Sequence, residues 1–313
     1  MRRLLAPALL FVAIGLVLYA ALYGWSEHLV WRQGRSNPFF KIAGVTEPTV
    51  DWVVLGASHA MPLDFDEVNA GLQAASGRRI VSLAGPGTGP LYNRFVLEHF
   101  LQRHRVKHLL YVVDAFAFYS RTWNEDRFAD VKLLRRTPWD PALAALLTRY
   151  VRDQGVAPTA VLDYASGFSK INNRERFERD VWEGEAQFDR SARASLSAAK
   201  KRVAYLYPDE RSPAALARYM ASFSALLELA RRHDAQLTVV KMPLPPTFRR
   251  LLPDEAPFDE ALAQAVQANG ARFVDFSQSL PDPALYFDTD HLNRRGVAAF
   301  SEAALLPLLR AGG

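Results

Sequence analysis

The chain reads as a three-layer α/β/α sandwich around a central, mostly parallel five-stranded sheet, preceded by a transmembrane helix. Three observations predict this. Short apolar runs of the kind buried on both faces of a parallel sheet alternate with helical patterns. The composition, 313 residues with 50% hydrophobic and 23% charged, supplies a full core. An uncharged, almost wholly apolar stretch follows directly on two amino-terminal arginines.

That stretch runs from Leu4 to Trp25, about as long as the roughly 20 residues a bilayer-spanning helix requires. A retained anchor (1–25) is favoured over a cleaved signal peptide, because the run is long and the Ala20-Ala21 neighbourhood is a poor cleavage signal. Arg2 and Arg3 favour a cytoplasmic amino end. In a bacterium this gives a single-pass inner-membrane protein with its folded part in the periplasm. Residues 26–48 read as a polar, Pro-containing linker, and 49–313 as one domain.

Within that domain the expected strands are Trp52 to Leu55, Ile80 to Leu83, His108 to Val113, Gln236 to Met242 and Arg272 to Phe276. Helices are expected from Pro90, from Asp140-Pro141 and from Ser212-Pro213, where serine is the N-cap, proline takes the first position and Leu216 to Leu227 carry one apolar stripe. Two more run from Pro257 to Asn269-Gly270 and from Asn293 onward. Residues 115–211 contain no clear strand and are too long for an ordinary connection, so they form an insertion: a lid, a binding surface or a partner contact.

Several classes are excluded. The net charge of +5 comes from scattered arginines without a basic block, which argues against nucleic-acid binding. Zero cysteines leave no disulfides and no thiolate sites. The histidines show no metal-ligand spacing, so neither metal nor cofactor is expected.

Ligands of open parallel sheets bind outside the carboxyl ends of the strands, and three features fall on that edge. In Gly56-Ala57-Ser58-His59-Ala60, Ser58 stands where a strand gives way to a helix. It serves either as an N-cap or as a nucleophile, and the helix start favours negative charge beside it in both cases. His59 is expected to be a local or substrate contact only. In Gly85-Pro86-Gly87-Thr88-Gly89 a dinucleotide fingerprint fails, since its third glycine falls at Pro90. This loop is a tight turn, or it offers the N–H of Gly87, or else Gly85, to an oxyanion beside the Ser58 N–H. In Asp288-Thr289-Asp290-His291-Leu292-Asn293, Asp288 and His291 are spaced to hydrogen-bond across a short loop, leaving the other ring nitrogen for Ser58. Asp290 reads as a bystander.

These blocks, in this order over residues 50 to 310, resemble the SGNH (GDSL-like) hydrolase superfamily. Gly56-Ala57-Ser58 corresponds to its serine block, Gly85 or Gly87 to its glycine block, and Asp288 with His291 to its final Asp-x-x-His. Two departures stand out. The usual Asp before the serine is Ala57, and the Gly-x-Asn-Asp block is replaced by Val113-Asp114-Ala115-Phe116, leaving Asn93 or Asn124 as substitutes for the asparagine oxyanion donor.

The resemblance implies a flavodoxin-like layering and acyl-ester chemistry: Ser58 as nucleophile, His291 as general base and acid, Asp288 orienting it. Membrane-anchored members of similar layout O-acetylate exported polysaccharides or move D-alanine onto teichoic acids, often alongside a membrane-bound acyltransferase partner. The expected substrate is therefore an acyl ester or polysaccharide of the cell envelope. Phe116, with Phe118 and Tyr119, either lines a sugar or acyl pocket or belongs to the core. The α/β-hydrolase fold, with its Gly-x-Ser-x-Gly, is a poorer match, because its serine follows several strands. A non-catalytic scaffold that binds glycan or a membrane acyltransferase is the alternative.

Overall fold

A computed structural model of the chain describes residues 2–311. Helix α1 spans Arg2–Gln33. Its apolar stretch has a mean hydropathy of 2.5, is long and apolar enough to cross a membrane, and has no buried side chain in its most apolar segment. The helix outruns the apolar sequence by two turns, and Ser26, Leu29 and Val30 there are buried against the rest of the protein.

The expected linker is therefore structured. Helix α2 (Pro38–Gly44) is capped by Asn37, whose Oδ1 accepts the N–H groups of Phe39 and Phe40 while its Nδ2 donates to Leu133 O and Thr137 Oγ1. The Asp180 carboxylate accepts the N–H groups of Ser36 and Asn37. The polar groups of this segment bond it to the insertion.

All five expected strands form: β1 (Thr49–Gly56), β2 (Ile80–Ser82), β3 (Arg105–Val112), β4 (Gln236–Lys241) and β5 (Arg272–Asp275). They lie in the order β2-β1-β3-β4-β5, every pair parallel. One correction concerns β5. It was expected to be buried on both faces, but Arg272, Phe273 and Asp275 are exposed, because it is an edge strand with one neighbour.

Helices α3 (Val68–Ser76) and α4 (Pro90–Leu101) follow the first two strands. The insertion holds α5 (Val131–Leu134), α6 (Pro141–Gln154), α7 (Pro158–Ser166), α8 (Phe168–Ile171) and α9 (Leu196–Leu206), and leads into α10 (Pro213–Arg232). Then α11 (Pro246–Arg249) and α12 (Ala256–Ala268) join β4 to β5, and α13 (Arg294–Phe300) and α14 (Leu306–Ala311) end the chain. The predicted Ser212 cap is in place, its Oγ accepting the Ala215 N–H, and Asp140 Oδ1 likewise accepts the Ala142 N–H.

Strand side chains alternate between two cores. Val53, Leu55, Leu109, Tyr111 and Val239 face α4, α10 and α12, where Trp123, Phe128 and Tyr150 of the insertion join them. Trp52, Val54, Leu110, Val112 and Val240 face α3, α13 and α14. This burial on both sides holds the carboxyl ends of β1 and β3 rigidly side by side, with Gly56 paired to Val112.

Candidate active site

Strand β1 ends at Gly56, with φ +148°. A Cβ there would lie 2.8 Å from the Val112 carbonyl oxygen, so the close approach to β3 requires glycine. The chain then enters a 3₁₀ turn, Ser58–Asp64, rather than the expected α-helix, and Ser58 makes no capping bond. Pro62 within the turn has no N–H and disfavours helical backbone at Met61.

The Ser58 hydroxyl goes to the far end of the chain instead. Its Oγ lies 2.9 Å from His291 Nε2, and His291 Nδ1 lies 2.8 Å from Asp288 Oδ2. With the carboxylate at Nδ1, that nitrogen carries the proton and Nε2 accepts from the serine. The second oxygen of Asp288 accepts the N–H groups of His291 and Asp290, at 2.8 and 3.0 Å, so one carboxylate shapes the loop and orients the ring. Burial raises the Asp288 carboxyl, but His291 outweighs this and holds it below its ordinary value. The imidazole stacks on Phe287 at 5.5 Å and meets the edge of Trp182 at 5.2 Å. Ser58 and His291, 233 positions apart along the chain, thus meet, with Asp288 behind the imidazole.

Beside this relay lies a second buried pair that the sequence did not reveal. His59 is packed 4.8 Å from the His291 ring; its Nδ1 is 2.6 Å from Asp114 Oδ1 and its Nε2 3.1 Å from Asp290 Oδ2. Asp290 is no bystander, being fully buried and also bonded by Arg202 Nε of α9 at 2.9 Å. Burial raises its pKa, but His291, His59 and Arg202 hold it well below the usual carboxylate range. Because β1 and β3 are neighbours, their outgoing ends place His59 over Asp114. Sequence separation hid that adjacency, although an aspartate at a strand's carboxyl end was a usable signal. Arg202 had none.

Burial by itself lowers the His59 pKa, and the Asp114 carboxylate together with Asp290 more than reverses this, pushing it up to about 10. Histidine in the unfolded chain titrates near ~6.5. The stability gained is therefore complete below that unfolded value and lost as pH rises through about 10. Thermal unfolding of the wild type is expected to fall steadily from pH ~6.5 upward, and His59→Gln, neutral throughout, to flatten that slope. Equal slopes in the two proteins would overturn the ionised pair.

The glycine loop divides the two oxyanion candidates. Gly85 donates its N–H to Gly56 O at 3.2 Å and is thereby used, and Thr88 Oγ1 donates to the same oxygen at 2.9 Å. The N–H groups of Gly87 and Ser58 bond no acceptor among the described residues. Gly87 has φ +62° and packs on Trp123, where a Cβ would come within 2.8 Å of the ring.

Neither substitute asparagine is available as a donor. Asn93 Nδ2 donates to Thr88 O and Gly89 O, and Asn124 Nδ2 to Ala117 O and Ser120 O. Both amides hold loops, which corrects the expectation of Asn93 as a substrate contact. Phe116 stands edge-on to His59, and both line a cleft of about 270 Å³ with Asp114, Tyr207 and Lys241. Phe118, by contrast, packs in the core between Phe223 and Phe258.

His59, Asp290 and His291 also bring one ligand atom each within 4.8 Å of one another. The atoms nearest to hand are already hydrogen-bonded, so a cation would have to displace the His59–Asp290 or Ser58–His291 contact.

Fold and site together define an α/β/α protein with a serine, histidine and aspartate in hydrogen-bonded series at the carboxyl edge of its parallel sheet. No family model matches the chain, and no curated protein matches it. Among solved structures it is similar to a protein of Bacteroides fragilis NCTC 9343 provisionally assigned as an acylhydrolase, at 10% identity and TM-score 0.40, over 86% of this chain and 89% of that one. A similarity at that level leaves the chemistry to the site itself.

Proposed function

We propose that the chain is a membrane-anchored serine esterase or O-acyltransferase of SGNH type, acting in the periplasm on acyl esters of cell-envelope or exported polysaccharide. The observation that carries this reading is the unbroken series Ser58 Oγ, His291 Nε2, His291 Nδ1, Asp288 Oδ2 at 2.9 and 2.8 Å. Ser58 Oγ attacks an ester carbonyl as His291 takes its proton, and Asp288 stabilises the imidazolium. The oxyanion is met by the N–H groups of Ser58 and Gly87. His291 then protonates the leaving alkoxide, and the acyl-enzyme passes to water or to an acceptor hydroxyl.

Trp182 and Arg202, both from the insertion, cover the site, and exclusion of water favours transfer over hydrolysis. The cleft beside His59 and Asp114 is of small-ligand size and suits an acceptor sugar. A membrane-bound acyltransferase is the partner that would deliver the acyl group. The test is labelling by a fluorophosphonate, with Ser58→Ala as control: the wild type is labelled covalently and the variant is not.

A second reading, a scaffold that binds glycan without turnover, is favoured by one observation, that Ser58 is only 4% exposed. It predicts no labelling of either protein.

A further inference from the structure

The apolar stretch of α1 does not stand clear of the domain. Tyr19 Oη donates to the carbonyl of Ser166 at 2.9 Å, and Gly167 lies so close to the Tyr23 ring that a Cβ would fall 2.0 Å from it. Lys170 Nζ pairs with Glu27 at 2.6 Å and sits 5.6 Å from the Tyr23 centroid. Phe177 meets Trp25 edge-on at 5.9 Å. The corner between α7 and α8 is thus fixed alongside the last turns of the spanning helix.

The depth follows from helix geometry. At 1.5 Å per residue, Tyr19 lies about 9 Å along the axis before Trp25, which ends the apolar run and marks the outer edge of a hydrocarbon core roughly 30 Å thick. Side chains on a helix tilt toward its amino end. The Tyr19 ring therefore leans deeper into the bilayer, and Ser166 lies below the headgroups with it.

The corner and the segment after it expose large apolar side chains, with Phe177 at the level of Trp25. Leu162 is 68% exposed, Phe168 61% and Phe177 68%. Beside a spanning helix these side chains continue its lipid-facing surface. The charged groups of the corner are paired within the protein, which suits a lipid environment: Asp163 accepts from the N–H and hydroxyl of Ser169, and Lys170 has Glu27.

We propose that the α7–α8 corner, with Leu162, Phe168 and Phe177, is seated in the outer leaflet of the bilayer, making the insertion a second membrane contact. This rests on α1 spanning the membrane. Trp182 follows Phe177 by five residues, no more than about 18 Å of extended chain, and packs on His291. The seating therefore sets the active site close above the lipid surface, facing acyl groups delivered from the membrane.

The absence of cysteine makes the test direct. Single cysteines at Leu162, Phe168 and Phe177 are labelled with an environment-sensitive fluorophore in the full chain, in vesicles of phosphatidylethanolamine and phosphatidylglycerol with nitroxide on the acyl chains. Leu10→Cys reports the span, and Ala263→Cys, exposed on α12, reports water. The expected result is blue-shifted emission, losing most of its intensity to the nitroxide, at all three corner positions as at Leu10. Corner labels that behave like Ala263 while Leu10 stays quenched overturn the seating and leave the anchor standing. An unquenched Leu10 overturns both. Blue-shifted corner labels that escape the nitroxide mean that protein covers the patch, and also overturn the seating.

Discussion

Asp288→Asn is expected to slow fluorophosphonate labelling of Ser58 by on the order of 10³- to 10⁴-fold, and His291→Ala by at least as much. The asparagine is the informative change because it separates two roles of one carboxylate. Its remaining carbonyl oxygen can still accept the N–H groups of Asp290 and His291, so the loop keeps its shape. Its NH₂ now faces His291 Nδ1, which must become an acceptor. The ring proton then moves to Nε2, the nitrogen that has to take the serine's proton. Loss of charge and the wrong tautomer act together. Asp290 lies farther from the same Nδ1, at 3.6 Å against 2.8 Å, so Asp290→Asn should slow labelling much less. A labelling rate unchanged in Asp288→Asn would remove the relay, and a larger effect from Asp290→Asn would reassign the orienting carboxylate.

Asp290→Ala is expected to destabilise the fold by about 3–5 kcal/mol, the usual cost of leaving buried charge without its partner. The side chain is fully buried and neutralises groups from two distant elements, His59 after β1 and Arg202 on α9. Removing it leaves an imidazolium with Asp114 alone, and a guanidinium with no anion in reach among the described contacts. Since Arg202 ties the insertion to the last loop, α9 should also loosen. Urea unfolding in detergent measures the first effect, and amide hydrogen exchange across Leu196–Leu206 the second. The double variant Asp290→Ala, Arg202→Met should regain part of the loss, because it also removes the unpaired cation. A loss below about 1 kcal/mol in the single variant, or no recovery in the double, would show that the network is not a charge-compensated unit.

What the sequence by itself determined was local. The five strands, the proline-led helix starts at Pro90, Pro141 and Pro213, and the Asp288 and His291 spacing were legible because each depends on neighbours within a few residues. Ser58 and His291 were identified separately by where their segments end. Their 2.9 Å contact follows once the sheet order brings those ends to one edge.

Tertiary structure alone decided the rest. Only the pairing of β1 with β3 sets His59 over Asp114. Only the return of α9 supplies Arg202 to Asp290, so the residue that read as idle is the most heavily bonded carboxylate of the site. The linker bonded to Asp180 and the corner packed on Tyr19 follow the same logic. A polar or apolar side chain in sequence shows what it can bond to. Which partner it meets is fixed by chain folded from far away, and that carries no trace in the local pattern.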